Sequence, residues 1–182
     1  MKDKILTELC SIERFNGKMK NYLNESDFFT APASASHHLA VLGGLAVHSW
    51  NVYRQLRAIN DNRHLKLDEE AIIIAGLLHD VCKIDFYKPA IMRVRDDAGL
   101  WHDNPGYKIV DQEPLGHGEK SVIILLRFMP LTIDEQLAIR WHMGPWDAEG
   151  PKRKTLNQAM EKCLLLKALM LADQTATWLE EK

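Results

Sequence analysis

The residues best suited to chemistry in this sequence are histidines and two carboxylates that fall on apolar helix faces. Eight of the 182 residues are histidine, whereas only three are cysteine. His48 follows Leu45 by three residues and precedes Val52 by four, which puts its side chain on the apolar face of a helix. Similar spacing places five more residues in the interior or at its edge: His79, Asp80, His117, His142 and Asp173.

A metal site accounts for this set. A buried carboxylate is costly unless it is paired or metal-bound, and neither Asp80 nor Asp173 has an arginine at matching spacing. Imidazoles and carboxylates that converge in a helical bundle are typical of sites for Mn, Fe, Co, Ni or Zn. One ion takes about four protein ligands or fewer, so this larger set predicts two ions that share a carboxylate. Any one of these histidines could instead be a hydrogen-bonded core residue, but the adjacent pair His79-Asp80 ends a strongly apolar helix.

Apolar periodicity predicts the helices that must position these residues. The predicted helices cover residues 3–23, with an interruption near Gly17, and residues 43–60, 68–83, 117–129, 132–143 and 154–181. Between residues 84 and 111, aromatic and β-branched residues surround a turn signal at Asp96-Asp97-Ala98-Gly99, which predicts a small β-hairpin. We therefore expect an all-α bundle with one hairpin insertion, in a single domain of residues 1–182.

Composition and charge exclude several classes of protein. The chain has 23 basic and 25 acidic residues, a net charge of −2, which argues against a broad face that binds long nucleic acid. The cysteines are far apart and form no C-x-x-C pair, which excludes a disulfide framework and suits a reducing cytoplasm. No apolar run reaches the ~18–20 residues of a membrane span, and no signal-peptide core opens the chain. These features predict a cytoplasmic protein that does not associate with membranes.

The order H…HD…H…H…D formed by the six candidate residues resembles the HD superfamily of metal-dependent phosphohydrolases. Longer segments carry the resemblance as well: GGLAVHS at 43–49, GLLHDVCK at 76–83 and LGHGE at 115–119. The last of these is similar to a segment of bacterial HD-domain 3′-to-5′ exoribonucleases. The resemblance covers about residues 36–177 and implies an all-α fold. Cys82 stands where the family usually has glycine, and the residues before the motif are too few for the nucleic-acid-binding domain of the exoribonucleases.

The resemblance implies two divalent metal ions, with a hydroxide between them as the nucleophile. One ion would be held by His48, His79, Asp80 and Asp173, and the other by Asp80, His117 and His142. Asp80 would bridge the two ions. The implied substrate is a small anionic one: a nucleotide, a cyclic nucleotide or a short oligonucleotide.

Substrate contacts are expected from residues close to the ligand set. Lys83 lies one helical turn after His79 and would contact a phosphate oxygen. His38 matches a histidine in the exoribonuclease segment and would hold phosphate or donate a proton to the leaving oxygen. Glu119 is a candidate for orienting a ligand histidine, and Trp146 and Trp178 are candidates for core or interface positions.

Two other functions stay open. A few HD-fold proteins use the same six ligands to hold two irons and activate oxygen, and other modules bind metal or nucleotide without turnover. Lys83 and the exoribonuclease-like segment favour hydrolysis over oxygenation. The complete ligand set argues against a module without turnover.

Overall fold

The computed structural model describes residues 1–181 and contains eight α-helices and one antiparallel hairpin in that part of the chain. The helices are α1 (Lys2–Cys10), α2 (Gly17–Glu25), α3 (Gly44–Arg63), α4 (Glu69–Leu78), α5 (His117–Leu126), α6 (Ile133–Trp141), α7 (Lys152–Lys162) and α8 (Leu164–Thr175). Short 3-10 turns at Val81–Lys83 and Gly144–Asp147 follow α4 and α6, and a π-helical turn at Ala176–Glu180 follows α8. The predicted all-α fold with a hairpin is confirmed.

The core is built around α4, which is buried on all sides after its first two residues, Glu69 and Glu70. Every residue from Ala71 to Leu78 is buried, so this helix has no polar face. Helix α3 packs on α4 and α8, and α6 packs on α5 and α8. Gly76 permits the close approach of α3 to α4, because a Cβ at this position would lie 2.7 Å from the Cα of Tyr53. Because Gly76 has no side chain, α3, which carries His48, packs closely against α4, which ends at His79.

Single side chains cap two helix starts, and two helix boundaries differ from the sequence prediction. Asn16 accepts a hydrogen bond from the backbone of Met19 at 3.0 Å, which starts α2 at Gly17, at the predicted interruption of the 3–23 segment. Cys163 is extended, and its sulfur accepts from the backbone of Leu166 at 3.3 Å, which divides the predicted 154–181 helix. Helix α4 ends at Leu78 rather than at residue 83, and the HD pair leads into a 3-10 turn.

The hairpin lies within the predicted 84–111 segment. Strands β1 (Tyr87–Arg95) and β2 (Trp101–Ile109) pair in antiparallel register, from Tyr87 opposite Ile109 to Arg95 opposite Trp101. Most of its residues are exposed, but Tyr87 at its base is buried. The hairpin therefore meets the helical body at its base and extends into solvent.

Membrane insertion through a helix has no support in the described chain. Within residues 1–181, every helix falls short of the length or apolarity that a bilayer-crossing segment requires.

Candidate metal centre

Five helices bring the six predicted ligand residues together. His48 lies inside α3, His79 caps the end of α4 and Asp80 follows it. His117 opens α5, His142 caps the end of α6 and Asp173 lies in the last turn of α8. All six except His79 line one cavity of about 880 Å³, and His79 is fully buried behind them.

Asp80 occupies the middle of this cluster, and each of its carboxylate oxygens faces different partners. Oδ1 lies 2.8 Å from Nε2 of His117 and 3.5 Å from Nε2 of His142. Oδ2 lies 3.5 Å from Nε2 of His48, 3.7 Å from Nε2 of His79 and 2.6 Å from Nζ of Lys83. Asp80 is only 2% exposed. A carboxylate that faces one group of nitrogens with each oxygen has the geometry that a ligand shared by two ions requires.

The nitrogen and oxygen atoms of the cluster lie close together, and one of these nitrogens has no hydrogen-bond partner in the described chain. Nε2 of His142 is buried and has no hydrogen-bond partner among residues 1–181. The Nε2 atoms of His48 and His79 face one another at 3.3 Å, and Nε2 of His48 lies 3.3 Å from Oδ1 of Asp173. Buried polar atoms normally have partners. Nitrogen and oxygen atoms clustered in this way fit a divalent cation.

Backbone carbonyls fix the orientation of two of the histidines. Nδ1 of His79 donates to the carbonyl of Gly76 at 3.1 Å, and Nδ1 of His142 donates to the carbonyl of Ile139 at 2.7 Å. Each bond holds the proton on Nδ1, so the lone pair of Nε2 points towards Asp80.

Glu181 is part of this site and was missed by the sequence reasoning. Its Oε2 accepts a hydrogen bond from Nδ1 of His48 at 2.9 Å, and its Oε1 accepts from Nδ2 of Asn51 at 3.0 Å. Glu181 lies in a charged stretch near the end of the sequence, and such a stretch predicts solvent-exposed side chains. Glu181 is nevertheless only 4% exposed. A regular α-helix would rotate Glu181 about 80° away from the face of Asp173. The π-helical turn between them changes that phase, and apolar periodicity gives no sign of it.

Removal of the Glu181 carboxylate is expected to weaken metal binding. A carboxylate on the second ring nitrogen of a ligand histidine typically contributes about 10–100-fold to metal affinity, so we expect a loss of that size for Glu181→Ala. Glu181→Gln keeps an acceptor oxygen and should recover most of the affinity. Competition with a chromogenic chelator measures both, with Glu180→Ala at the neighbouring exposed position as the matched control. Equal affinities for Glu181→Ala and the control would show that Glu181 does not orient His48.

The charges and the burial around the cluster shift the pKa values of His48 and His79 in opposite directions. Burial disfavours the charged form of His48, but hydrogen bonds to Asp173 and Glu181 outweigh burial and raise its pKa to about 9. Burial dominates at His79 and lowers its pKa to about 3. Burial also opposes ionisation of Asp80, yet the nearby Lys83 ammonium and the histidines hold its pKa well below the usual range.

The metal-free protein is therefore expected to lose stability between about pH 6.5 and pH 9. His48 binds its proton more tightly in the folded state than in the unfolded state, where its pKa is near 6.5. Its stabilising contribution is complete below pH 6.5 and is lost as the pH rises through 9. The expected decrease in the free energy of unfolding is about 2–3 kcal/mol, measured by urea unfolding in the presence of chelator. His48→Gln should flatten this profile, and a flat wild-type profile would contradict the charged state assigned to His48.

Lys83 and His38, the two substrate-contact candidates, also line the cavity. Nζ of Lys83 donates to Oδ2 of Asp80 at 2.6 Å, and its side chain is 12% exposed. The ring centroid of His38 is 5.2 Å from that of His48. Nε2 of His38 is buried and unpartnered within residues 1–181, and burial lowers its pKa. His64 and His102 lie on the surface, away from this cavity.

Two exposed tryptophans also line the cavity, whereas Glu119 makes no hydrogen bond or ion pair with a ligand histidine in the described chain. Trp146 is 74% exposed and Trp178 is 56% exposed, so neither is a core residue. The Glu119 carboxylate pairs with Arg140, which also pairs with Asp147 at 2.8 Å. Glu119 therefore contributes to an ion-pair network between α5, α6 and the turn that carries Trp146.

The family of the protein follows from this fold and a sequence comparison. A family model described as HD domain matches residues 45–178, well over half of the chain. The protein belongs to the HD domain family, and so to a superfamily of metal-dependent hydrolases whose members bind divalent metals. No curated protein and no solved structure shows significant similarity to the chain. The resemblance to the exoribonucleases stays a prediction.

Proposed function

We propose that this protein is a phosphohydrolase that uses two divalent metal ions to cleave a phosphoester of a nucleotide, a cyclic nucleotide or a short oligonucleotide. The observation that carries the proposal is the position of Asp80, whose two oxygens face separate groups of histidine nitrogens. HD-family membership supports the hydrolytic class.

The residues around Asp80 provide two sets of ligands. His48, His79, Asp80 and Asp173 would hold one ion, and Asp80, His117 and His142 would hold the other. Two cations held there would supply an activated water and would neutralise charge on the phosphate oxygens. The donor atoms restrict the two ions to a first-row transition metal or zinc, because imidazole and carboxylate groups bind Mn, Fe, Co, Ni and Zn.

Lys83 would bind the phosphate. Burial disfavours its charged form, but the contact with Asp80 outweighs burial and raises the pKa of Lys83, so the ammonium persists at neutral pH. A fixed positive charge beside the ligand set stabilises negative charge as it develops on the phosphate oxygens.

His38 would act on the leaving group. Its lowered pKa keeps the imidazole neutral at pH 7, so it can donate a hydrogen bond from one nitrogen and accept at the other. It lines the cavity next to His48, close enough to reach a substrate oxygen in the same space. A hydrogen bond donated by the neutral His38 would stabilise the departing oxygen.

The shape of the cavity supports a substrate with an aromatic group. A volume of about 880 Å³ is far larger than one phosphate group needs. The faces of Trp146 and Trp178 are available for stacking, and stacking on an aromatic side chain contributes about 1–3 kcal/mol per nucleobase. A nucleoside phosphate would place its phosphate against the ligand residues and its base against Trp146 or Trp178.

Metal reconstitution followed by hydrolysis assays tests the proposal. Chelator-treated protein is loaded with Mn²⁺, Fe²⁺, Co²⁺, Ni²⁺ or Zn²⁺ and assayed on bis-p-nitrophenyl phosphate, p-nitrophenyl phosphate and a panel of nucleotides. We expect metal-dependent release of phosphate or nitrophenol, with nucleotides preferred over the phosphates of simple sugars. Oxygen consumption by the aerobic Fe²⁺ protein without phosphoester cleavage would establish the oxygenase alternative. Metal and nucleotide binding with no turnover of either kind would identify a binding module.

A further inference from the structure

Cys82, which replaces the family's usual glycine, directs its thiol towards one side of the metal centre. Its Sγ lies 3.3 Å from Nδ1 and 3.8 Å from Nε2 of His117. The residue is 3% exposed and belongs to the 3-10 turn that follows the HD pair. The backbone N–H of Cys82 donates to Oγ of Ser121 at 3.2 Å, which fixes this turn against α5.

Three distances between the neighbouring donor atoms lie near those expected around a single metal ion. Metal–nitrogen bonds near 2.0 Å and metal–sulfur bonds near 2.3 Å separate tetrahedral ligands by roughly 3.3–3.6 Å. Nε2 of His117 lies 2.8 Å from Oδ1 of Asp80 and 3.8 Å from Sγ of Cys82. Oδ1 of Asp80 lies 3.5 Å from Nε2 of His142. These three separations lie within about 0.5 Å of the expected values. Asp80, Cys82 and His117 offer ligand atoms that all lie within 4.8 Å of one another, and His142 adjoins them through Asp80.

His142 independently indicates that a ligand belongs at this position. It is 2% exposed, and its Nε2 has no hydrogen-bond partner within the described chain. Nδ1 of His142 is already used by the carbonyl of Ile139 at 2.7 Å, so the free lone pair is on Nε2, beside Asp80. An unpaired buried nitrogen is destabilising, and a cation between Asp80 and His142 would satisfy it.

We propose that Sγ of Cys82 is a fourth protein ligand of the second ion, together with Asp80, His117 and His142. This inference rests on the proposed two-metal centre and adds a sulfur donor to one side of it. Metal binding forms a metal–sulfur bond, breaks the S–H bond and releases the proton to solvent. A donor set of one sulfur, two nitrogens and one oxygen selects zinc or cobalt over manganese or magnesium. The other ion keeps only nitrogen and oxygen donors, so the two positions differ in metal preference.

Cobalt substitution gives a direct readout of the sulfur ligand. A Co²⁺–thiolate bond produces a charge-transfer band in the near ultraviolet that nitrogen and oxygen ligands do not produce. The metal-free full chain is titrated with Co²⁺ while the absorbance and the bound metal per chain are measured. We expect the band to grow with one of two bound ions, to be absent in Cys82→Ser and to persist in Cys163→Ser, the matched buried-cysteine control. We expect Cys82→Ser to bind that ion about 10–100-fold more weakly.

The outcomes separate this inference from the two-metal proposal. Two bound Co²⁺ ions without the charge-transfer band would overturn the role of Cys82 and leave the two-metal centre intact. One bound ion with a band that depends on Cys82 would establish the sulfur ligand and overturn the second ion. One bound ion without the band would overturn both. Circular dichroism of Cys82→Ser and of Cys82→Gly, which restores the family's residue, ensures that loss of the band is not loss of the fold.

Discussion

Asp80→Asn is expected to lose hydrolytic activity by about 1,000-fold or more and to lose the bound metals. Asp80 is the residue closest to both groups of histidines, with Oδ1 at 2.8 Å from His117 and Oδ2 at 3.5 Å from His48. Asparagine keeps the shape of the side chain but offers one weak oxygen donor in place of two charged ones. In a single substitution, one proposed ion therefore loses a ligand and the other keeps only a neutral oxygen in place of a charged one. Metal content by mass spectrometry and kcat on the preferred substrate measure the two losses together.

Asp85→Asn provides the matched control for this experiment. Asp85 is also an aspartate and lies only five residues after Asp80. Its side chain is 64% exposed and does not line the cavity. We expect the control to retain metal and activity. Since Asp80→Asn also removes the partner of the Lys83 ammonium, thermal unfolding should be compared for all three proteins. A folded Asp80→Asn protein that keeps two ions and most of its kcat would place the metal centre elsewhere.

The general position of the site was predictable because it depends on helix geometry. His48 lies on the apolar stripe of α3 between Leu45 and Val52, so its inward direction follows from a period of 3.6 residues. His79 and His142 cap the ends of α4 and α6, where the apolar runs of those helices stop. The same periodicity identified the all-α fold, because burial of an apolar stripe is what stabilises each helix.

The details that periodicity did not give depend on single side chains and on backbone irregularities. The break at Cys163 comes from one sulfur that accepts a backbone hydrogen bond, and a hydrophobic pattern carries no information about it. Glu181 reaches His48 only because a π-helical turn changes the phase of the chain after α8. Cys82 was visible as a departure from the family pattern, but the direction of its thiol requires the 3-10 turn in three dimensions.

Lys83 presents a different test, because its proposed role predicts opposite effects on catalysis and on metal binding. Nζ of Lys83 lies 2.6 Å from Oδ2 of Asp80, so in the metal-free protein the ammonium competes with a cation for the same oxygen. Lys83→Met keeps the length of the side chain and removes the charge. We expect kcat to fall about 100-fold, the typical loss when one preorganised donor to the reacting group is removed. Metal affinity should rise, because the substitution removes the competing positive charge.

A role in which Lys83 only supports the structure would not separate these two measurements. If Lys83 did no more than hold Asp80 in position, Lys83→Met would lower metal affinity and kcat together. The exposed Lys88, which lies 3.8 Å from Asp85, provides the control substitution Lys88→Met, with no change expected in either measurement. An unchanged kcat in Lys83→Met would exclude contact between this ammonium and the phosphate. Tighter metal binding with a lower kcat requires Lys83 to act on the substrate, since no loss of metal could then explain the loss of rate.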